Sequence, residues 1–339
     1  MEKIGNKIRF AVIGAGHIGK QHIKVIIENA DCELVAIIDK KQVAHGLEDH
    51  TTPFFKSLDE YFKLGSDCDV VCIATPNGYH ASHAVKCLKK GKHVVIEKPM
   101  ALTSGDGRRI IKVSQKARKH VFAVMQNRYS SKAKWLKEII DTKALGNIYM
   151  VQVNCYWNRD ERYYTPGNWH GNKEIDGGTL FTQFSHFIDL LYWVFGDFKK
   201  IRSRMANFNH KHLADFEDSG TITFDLKKGG IGSFNFSTAI WDQNMESSIT
   251  VIGENGSIKL EGQYMDEITY CHIKDFTPSE SFTSDQATGA ESNHSYVFKN
   301  VIEVLRAGKK GSTNVKDGLR VIEIIERFYK AAGRNKIDL

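Results

Sequence analysis

Residues 93–100, HVVIEKPM, place an acid, a base and a proline directly after a short apolar run. The run itself, 93–96, is typical of a buried strand. Glu97 and Lys98 therefore lie at the tip of that strand, and Pro99 fixes the backbone behind them. A lysine placed there can exchange a proton with a reacting group, and a carboxylate can orient a ligand. The alternative interpretation is a pair of charges that meet water at a sheet edge.

A second group of residues suits the binding of a dinucleotide. Gly14, Gly16 and Gly19 form Gly-x-Gly-x-x-Gly between a predicted strand, 8–13, and a predicted helix. These glycines allow a tight turn, close approach of a pyrophosphate and close helix–strand packing, and the start of the helix favours phosphate. The next predicted strand, ELVAIID, ends at Asp39, about 20 residues further on, where a ribose-binding acid belongs.

The position of Asp39 predicts NAD as the cofactor rather than NADP. A carboxylate there accepts hydrogen bonds from both ribose hydroxyls and repels a 2′-phosphate. Lys40 and Lys41 follow directly and soften this discrimination.

Predicted strands and helices alternate through the first part of the chain. The further apolar runs 70–74 and 121–125 are separated by helical segments, which indicates a doubly wound parallel sheet. In such sheets ligands bind beyond the carboxyl ends of the strands. Several polar residues and one proline follow the predicted strand ends at this edge, namely Thr75, Pro76, Asn77, Glu97, Lys98 and Gln126.

The pattern changes after QNRY at 126–129. A helix, SKAKWLKEIID, leads into alternating segments with tight turns, which predict a large, mostly antiparallel open sheet. The predicted fold class is therefore α/β, with an N-terminal Rossmann domain (1–127) and a C-terminal α+β domain (128–339). We expect one sheet face to pack on helices, and the other, rich in aromatic residues, to form a homodimer or homotetramer interface. The final helix, 315–333, is expected to pack back toward the first domain, and 274–293 to be a polar loop.

Two segments of the second domain carry candidate ligand-binding residues. The stretch 156–175 combines aromatic residues with Arg159, Arg162 and His170, and it is either a binding loop or a surface loop with packed aromatics. The stretch DGGTLFTQFSHFIDLLYWVFG predicts a helix on which Gln183 and His186 share a face. A single histidine on an apolar helix is usually part of the core, but the neighbouring loop favours a role in ligand binding.

Composition excludes several classes of protein. The net charge is +7, but Lys and Arg are dispersed without a basic block interleaved with aromatics, so nucleic acid is not the expected partner. No apolar run approaches the ~18 residues of a membrane helix, and MEKIGNKIRF lacks the apolar stretch of a signal peptide, so a cytoplasmic location is predicted. The six cysteines include no Cys-x-x-Cys pair. Reduced, packed thiols are therefore expected, without disulfides or a metal.

The motifs GAGHIG, ATPNGYH, EKPM, QNRY and GGTLFTQFSHFID together resemble the family of NAD(P)-dependent sugar and inositol oxidoreductases typified by glucose–fructose oxidoreductase and inositol dehydrogenase. The resemblance covers nearly the whole chain. It implies that Lys98 faces nicotinamide and substrate, that Glu97 helps to position the cofactor, and that the Lys98–Pro99 peptide is cis. The predicted catalytic residues are Lys98 and His186.

The remaining predicted site residues fall into two sets. The predicted cofactor contacts are Gly14, Gly16, His17, Ile18, Asp39, Lys40, Thr75, Pro76, Asn77, His80, Glu97, Lys98, Gln126 and Arg128. The predicted substrate contacts are Lys98, Asn158, Arg159, Tyr163, Tyr164, Thr182, Gln183 and His186.

One position departs from the family pattern. Most members carry an aspartate four residues before the histidine, where this chain has Thr182. Without a carboxylate to hold its tautomer, His186 is expected to be a poorer base than Lys98. The same segment, with YWNRDERYY before it, resembles the branch that oxidises UDP-N-acetyl-glucosaminuronate at C3 in bacterial surface-polysaccharide (O-antigen, lipopolysaccharide) biosynthesis. That nucleotide-sugar carries a diphosphate and a carboxylate, which suit Arg159.

Two other functions stay open at this point. The first is a dehydrogenase of a free sugar or inositol within the same family. The second is a catalytically silent NAD-binding regulator, against which the presence of Lys98 argues. If Lys98 is catalytic, it either accepts the hydroxyl proton or stays charged and stabilises the developing alkoxide.

Overall fold

The computed structural model describes residues 7–41, 52–262, 265–275, 290–309 and 311–333. The chain divides into two compact units, of which the first comprises Met1–Met125 with His294–Ile322. The second comprises Gln126–Asn293 with Glu323–Leu339. The domain boundary predicted between 127 and 128 stays a prediction.

The first unit contains a six-stranded sheet in which every paired strand is parallel. Its strands are β1 (Ile8–Ile13), β2 (Cys32–Ile38), β3 (Phe54–Phe55), β4 (Val70–Ile73), β5 (His93–Ile96) and β6 (Val121–Ala123). The intervening helices are α1 (His17–Glu28), α2 (Leu58–Leu64), α3 (His80–Lys89) and α4 (Ser104–Ala117). The spatial order is β3-β2-β1-β4-β5-β6. The chain adds β2 and β3 on one side of β1 and then β4, β5 and β6 on the other, so the direction of strand addition reverses between β1 and β4. A ligand crevice is expected beyond the carboxyl ends of β1 and β4, where that reversal occurs.

The parallel strands consist of continuous apolar runs because both faces of the sheet are covered. All four residues of β4 are buried, as are Val94, Val95 and Ile96 of β5. After β5 the chain must leave the sheet and start a helix, and Thr103 marks that start by accepting a hydrogen bond from the Asp106 N–H at 3.0 Å. Residues 97–103 therefore form the connection between β5 and α4 at the carboxyl edge of the sheet.

Residues from the far end of the chain complete this unit. The unit contains α9 (Ala290–Ala307) from His294 onward and the first part of α10 (Val315–Ala331), up to Ile322. A Cβ added at Gly318 would lie 2.8 Å from the Met100 Sδ, so this glycine lets α10 approach the segment that follows Pro99. The sequence predicts a loop up to 293, and no helix corresponding to α9 was predicted. Residues 276–289 of that predicted loop lie outside the described residues.

The second unit is built on a seven-stranded sheet. Its helices between residues 131 and 195 are α5 (Ser131–Asp141), α6 (Lys173–Asp176), α7 (Thr179–Thr182) and α8 (Ser185–Phe195). The strands are β7 (Ile148–Tyr156), β8 (Phe198–Ala206), β9 (Ser219–Leu226), β10 (Ile231–Ser237), β11 (Glu246–Gly253), β12 (Gly256–Glu261) and β13 (Glu267–Ile273). In the order β13-β12-β11-β7-β10-β9-β8, the pair β7–β10 is parallel and the other pairs are antiparallel. The predicted α/β class with a mostly antiparallel second sheet is confirmed.

The two faces of the second sheet differ from the prediction. The aromatic residues of β9 and β10 point toward the helices, where the rings of Phe184 and Phe236 lie 5.7 Å apart. The opposite face carries a polar ladder across the strands. Thr221 donates to the Asn235 Oδ1 at 2.7 Å, and the Asn235 Nδ2 donates to the Asn154 Oδ1 at 3.0 Å. The expectation that the open face is rich in aromatics is wrong for these central strands.

The helix predicted within DGGTLFTQFSHFIDLLYWVFG is also broken in two. The helix α7 ends at Thr182 and α8 begins at Ser185, with Gln183 and Phe184 between them. Gln183 and His186 therefore do not share the face of one continuous helix. Among the described residues, no helix combines the length and apolar character that crossing a membrane requires.

Candidate active site

The glycine turn after β1 has the shape that a bound pyrophosphate requires. Gly14 has φ +87°, and a Cβ there would lie 2.5 Å from the Ala74 carbonyl oxygen. A Cβ on Gly19 would lie 1.8 Å from the Gly14 carbonyl oxygen, so this position brings α1 against the turn. Gly16 differs from both, because a Cβ added to it meets nothing within 4 Å. The space above Gly16 is open, and His17 and Ile18 begin α1 beside it. These residues fit the pyrophosphate of NAD.

Asp39 is fixed beside this turn. Its Oδ2 accepts the Ala15 N–H at 2.7 Å, and its Oδ1 accepts the Lys41 N–H at 3.1 Å. The carboxylate therefore stands at the end of β2 in the register that the sequence predicts for a ribose-binding acid. The Lys40 ammonium lies 5.6 Å from the centre of the Tyr79 ring. This contact holds the Lys40 ammonium group at the same edge of the sheet as Asp39.

His80 connects the loops that follow β4 and β5. Its Nε2 lies 2.6 Å from the Thr75 carbonyl oxygen, and its Nδ1 lies 2.7 Å from the Pro99 carbonyl oxygen. Burial lowers the pKa of His80, although both carbonyls favour the charged ring. The predicted contact of His80 with the cofactor stays a prediction, and its observed partners are backbone groups. Pro76 and Asn77 begin the short 3₁₀ helix Asn77–Tyr79 between these loops.

The turn at the tip of β5 holds Lys98. The Lys98–Pro99 peptide is cis, so this prediction is confirmed. Lys98 is half-buried, whereas Glu97 is 5% exposed. The Glu97 Oε2 accepts the Lys98 N–H at 3.1 Å, and its Oε1 accepts the His22 Nε2–H at 2.9 Å.

The Glu97 carboxyl is ionised despite its burial. Burial alone raises the pKa of Glu97, but hydrogen bonds from His22 and His294 outweigh burial and hold that pKa well below its ordinary value. The Nε2 of His294 lies 3.4 Å from the Glu97 Oε1. Within the described ranges, these three residues form a group that could hold a metal ion, because their donor atoms lie within 4.8 Å of one another. The distance of 2.9 Å between the His22 Nε2 and the Glu97 Oε1 also matches a direct hydrogen bond, which needs no metal ion.

Neither His22 nor His294 is among the predicted site residues. One signal for His22 was present, because His22 lies on the same helix face as Gly19, Ile23 and Ile26, which are all buried. A histidine on a buried face next to strand ends is a candidate partner for a buried acid. His294 offers no local signal of this kind.

Four predicted ligand-binding residues of the second unit form one chain of hydrogen bonds. The Arg159 Nε donates to the Gln183 Oε1 at 2.9 Å, and the Gln183 Nε2 donates to the Tyr163 hydroxyl at 2.7 Å. That hydroxyl lies 3.0 Å from the His170 Nδ1. Burial raises the pKa of the Tyr163 phenol, so the group stays protonated at neutral pH.

The guanidinium of Arg159 is held by two aromatic rings and by hydrogen bonds from its Nε and Nη1. The charge lies 4.8 Å from the centre of the Trp157 ring and 5.2 Å from that of Tyr163. Its Nη1 donates to the Asn158 carbonyl oxygen at 2.5 Å and to the Asn244 Oδ1 at 3.3 Å. These oxygen partners are amides, which carry no net charge. The structure therefore presents a permanent cation on a rigid support.

His186 is 5% exposed and lies near the rings of Trp157 and Phe187. The hydroxyl of Thr182, four residues earlier, donates to the Asp176 Oδ1. Asp176 is 1% exposed, and its Oδ2 also accepts the Gly171 N–H at 3.1 Å. A buried carboxylate is therefore bonded to the threonine that replaces the family aspartate.

Other predicted ligand-binding residues have structural partners. The Asn158 Nδ2 donates to the Ile240 carbonyl oxygen at 2.7 Å. Tyr164 is buried in a cluster with Phe216. Arg128 belongs to the second unit and makes a buried bidentate pair with Asp189, its Nε donating to the Asp189 Oδ2 at 2.8 Å. Gln126 is 8% exposed and begins the 3₁₀ helix Gln126–Tyr129.

Comparison with known proteins identifies the family. Residues 8–125 match the oxidoreductase family model with an NAD-binding Rossmann fold, and residues 133–259 match the GFO/IDH/MocA C-terminal domain. The chain belongs to the GFO/IDH/MocA oxidoreductase family. It is therefore an NAD-dependent dehydrogenase that acts on CH–OH groups of sugars or polyols.

Three similar proteins illustrate the range of this family. The WlbA dehydrogenase of Chromobacterium violaceum, solved with NADH and UDP-GlcNAcA, has a TM-score of 0.90 at 31% identity over 100% of this chain and 98% of that chain. The WlbA dehydrogenase of Bordetella pertussis, solved with the same ligands, has a TM-score of 0.86 at 31% identity over 97% and 98%. Inositol 2-dehydrogenase of Rhizobium meliloti is 23% identical over 97% of this chain and 98% of its own length.

We expect the second and third glycines of the turn to respond differently to alanine. Gly16→Ala should keep the Tm of the apoprotein but weaken NAD binding about tenfold or more, because the methyl group fills only the ligand space. Gly19→Ala should lower the Tm of the apoprotein, because its Cβ has no room. Thermal unfolding and a fluorescence titration with NAD measure both effects. Wild-type NAD affinity in Gly16→Ala would show that no pyrophosphate approaches this residue.

We expect Asp39 to set the preference for NAD over NADP. Asp39→Ala should narrow the ratio of the two dissociation constants by roughly tenfold, because a charged hydrogen bond contributes about 1.5–3 kcal/mol. Asp39→Asn is the matched control, since its amide oxygen can still accept the Ala15 N–H while the charge is lost. Titration of both cofactors checks this, and tighter binding of NADP by the wild-type chain would contradict the assignment.

Proposed function

We propose that this chain oxidises the C3 hydroxyl of UDP-N-acetyl-glucosaminuronic acid, as a UDP-N-acetyl-2-amino-2-deoxy-D-glucuronate 3-dehydrogenase of bacterial surface-polysaccharide biosynthesis. One observation carries the proposal. The chain is 31% identical over nearly its whole length to two dehydrogenases that were solved with NADH and UDP-GlcNAcA. A cytoplasmic location and a homodimer or homotetramer through the polar face of the second sheet belong to the same proposal.

Lys98 is the proposed proton acceptor. Bound NAD supplies the hydride acceptor, so the protein itself must remove one proton from the sugar hydroxyl. Lys98 is half-buried at the carboxyl edge of the sheet, on a turn whose backbone is fixed by Glu97 and His80. A neutral lysine there can take the hydroxyl proton, and a charged one can stabilise the alkoxide.

The hydrogen-bonded chain in the second unit suits an acidic nucleotide-sugar. Arg159 supplies a permanent positive charge for the carboxylate or the diphosphate, and its planar guanidinium can bind either group through two hydrogen bonds. Gln183 and Tyr163 fix the orientation of Arg159 and add polar groups for sugar hydroxyls. His186, beside Trp157, is proposed to orient the substrate rather than to act as the main base.

A free sugar or inositol is the second candidate substrate. The 23% identity with inositol 2-dehydrogenase over 97% of this chain favours this alternative. Arg159 distinguishes the two substrates on physical grounds, because a neutral polyol offers no anionic partner for a guanidinium.

A panel of four substrates tests the proposal directly. NAD reduction at 340 nm should be fastest with UDP-GlcNAcA. UDP-GlcNAc, which lacks the carboxylate, and free N-acetyl-glucosaminuronic acid, which lacks the diphosphate, should each lose about 10²-fold or more in kcat/KM, since each lacks charged hydrogen bonds. If myo-inositol is oxidised faster than UDP-GlcNAcA, the nucleotide-sugar assignment is wrong.

Substitution of the two candidate bases ranks their roles. Lys98→Met retains most of the side-chain volume, so NAD binding should stay near wild type while single-turnover reduction of NAD by UDP-GlcNAcA falls roughly 10²-fold or more. His186→Asn should cost less. Arg159→Met should mainly raise KM. A larger loss in His186→Asn than in Lys98→Met would reverse the ranking, and an unaffected Lys98→Met would remove the lysine from the mechanism.

A further inference from the structure

The first unit buries one ionised carboxylate at the tip of β5 and surrounds it with histidines. Glu97 is 5% exposed, His22 is 0% exposed and His294 is 2% exposed. A carboxylate so far from water costs several kcal/mol unless hydrogen bonds satisfy its oxygens. The stability of this buried carboxylate therefore depends on the hydrogen-bond partners of its two oxygens.

The two oxygens of Glu97 have different partners. The Oε1 faces the imidazoles, with the His22 Nε2 at 2.9 Å and the His294 Nε2 at 3.4 Å. The Oε2 accepts the backbone N–H of Lys98 at 3.1 Å. His22 thus holds one side of the carboxylate by a hydrogen bond, with His294 in close approach, while the other side holds the backbone of the lysine.

The tautomer of His22 follows from these contacts. An ionised carboxylate can only accept, so the His22 Nε2 carries the proton. In the described part of the chain, the buried His22 Nδ1 has no hydrogen-bond partner. His22 therefore acts as a donor of fixed direction toward the Glu97 carboxylate.

A third histidine holds the other end of the turn. The His80 Nδ1 lies 2.7 Å from the Pro99 carbonyl oxygen, one residue beyond Lys98. The backbone on both sides of Lys98 is therefore bound to buried groups, Glu97 before it and His80 after it.

We propose that His22 and His294 are positioning residues for Lys98, acting through the Glu97 carboxylate that binds the Lys98 backbone. This inference rests on the proposed role of Lys98 in proton transfer. His294 is the informative member of the pair, because it comes from α9, a helix far from β5 in the sequence. The reacting lysine of the first unit is thus aligned by a residue of the C-terminal third of the chain.

The electrostatic surroundings of Glu97 predict a change in the pH profile. The groups that face it are His22 on α1, His294 on α9, the backbone N–H of Lys98, His80 on α3 and the thiol of Cys72 on β4. Removal of His294 leaves burial less opposed, so the pKa of Glu97 rises from its depressed value. A carboxylate needed in its ionised form then adds an acidic limb to kcat, with activity lost as the pH falls through the new pKa.

The test compares three variants of the full chain. His294→Met removes the donor at similar volume, His294→Gln keeps an N–H near the Nε2 position, and His120→Met is the matched control, because His120 is an exposed histidine next to β6. We expect His294→Met to lower the single-turnover rate with UDP-GlcNAcA about tenfold or more, since misplacement by about 1 Å can cost 10²-fold. NAD affinity should change little, His294→Gln should recover most of the rate, and His120→Met should match wild type.

A second measurement is independent of turnover. Hydrogen exchange of the Lys98 amide, followed by mass spectrometry of peptides spanning 93–100, reports whether Glu97 still accepts this N–H. Exchange should be faster in His294→Met than in wild type, His294→Gln and His120→Met. Unchanged exchange and an unchanged pH profile in His294→Met would overturn the positioning role.

A double-mutant cycle separates this inference from the proposed function. If His294 acts through Lys98, the rate loss in Lys98→Met/His294→Met should be close to that in Lys98→Met alone. Additive losses would refute the coupling while leaving Lys98 catalytic. An active Lys98→Met would refute the proposed role of Lys98 in proton transfer, on which this inference rests, and the exchange measurement would still report the contact. One equivalent of zinc in the purified protein that disappears in His22→Gln would overturn the proposal in favour of a metal site.

Discussion

The first unit depends on one constraint, which is that a negative charge is buried where a hydrophobic strand ends. Val94, Val95 and Ile96 of β5 are fully covered, and the Glu97 carboxylate is covered with them. Such a group is tolerated only when every oxygen is bound by a donor in good geometry. This requirement explains why a histidine interrupts the apolar face of α1, and why α9 belongs to this unit although it follows the whole second sheet in sequence. The same hydrogen bonds fix the backbone of Lys98, so the cost of burial and the placement of the reacting group are met by one network.

The second unit solves a related problem with different residues. Sequence reasoning assigned His186 a weak role because Thr182 stands where the family carries an aspartate. The structure contains a buried carboxylate nearby in sequence, since Asp176 accepts the Thr182 hydroxyl across a separation of six residues. This segment therefore keeps a carboxylate, which belongs to Asp176 instead of to the residue at position 182. Asp176 also accepts the backbone N–H of Gly171, so it shapes the loop that carries the hydrogen-bonded chain from His170 to Arg159.

Elements and contacts that depend on residues close together in the sequence could be predicted, whereas contacts between residues far apart in the sequence could not. The strand β1 and the helix α5 are marked by local patterns, and their predicted positions agree closely with the structure. Alternation in β10 shows that Phe234 and Phe236 share one face and Asn235 another, but it does not show which face meets the helices. His294 escaped prediction because its partner Glu97 is distant in sequence and its own helix begins in a polar stretch. The cofactor turn was predictable because its glycines, its strand and Asp39 have a fixed spacing.

The histidines around Glu97 affect charge as well as position. An anion close to Lys98 favours the ammonium form of the lysine, which is the wrong form for a group that accepts a proton. The His22 N–H points its positive end at the Glu97 Oε1, and the Lys98 N–H does so at the Oε2. These dipoles compensate part of the carboxylate charge within a low-dielectric region, where each one acts more strongly than it would in water. The network therefore allows an anion to hold the lysine backbone while reducing the field that would keep the lysine protonated. A neutral side chain in place of Glu97 would avoid the field, but its weaker acceptor would hold the backbone less firmly.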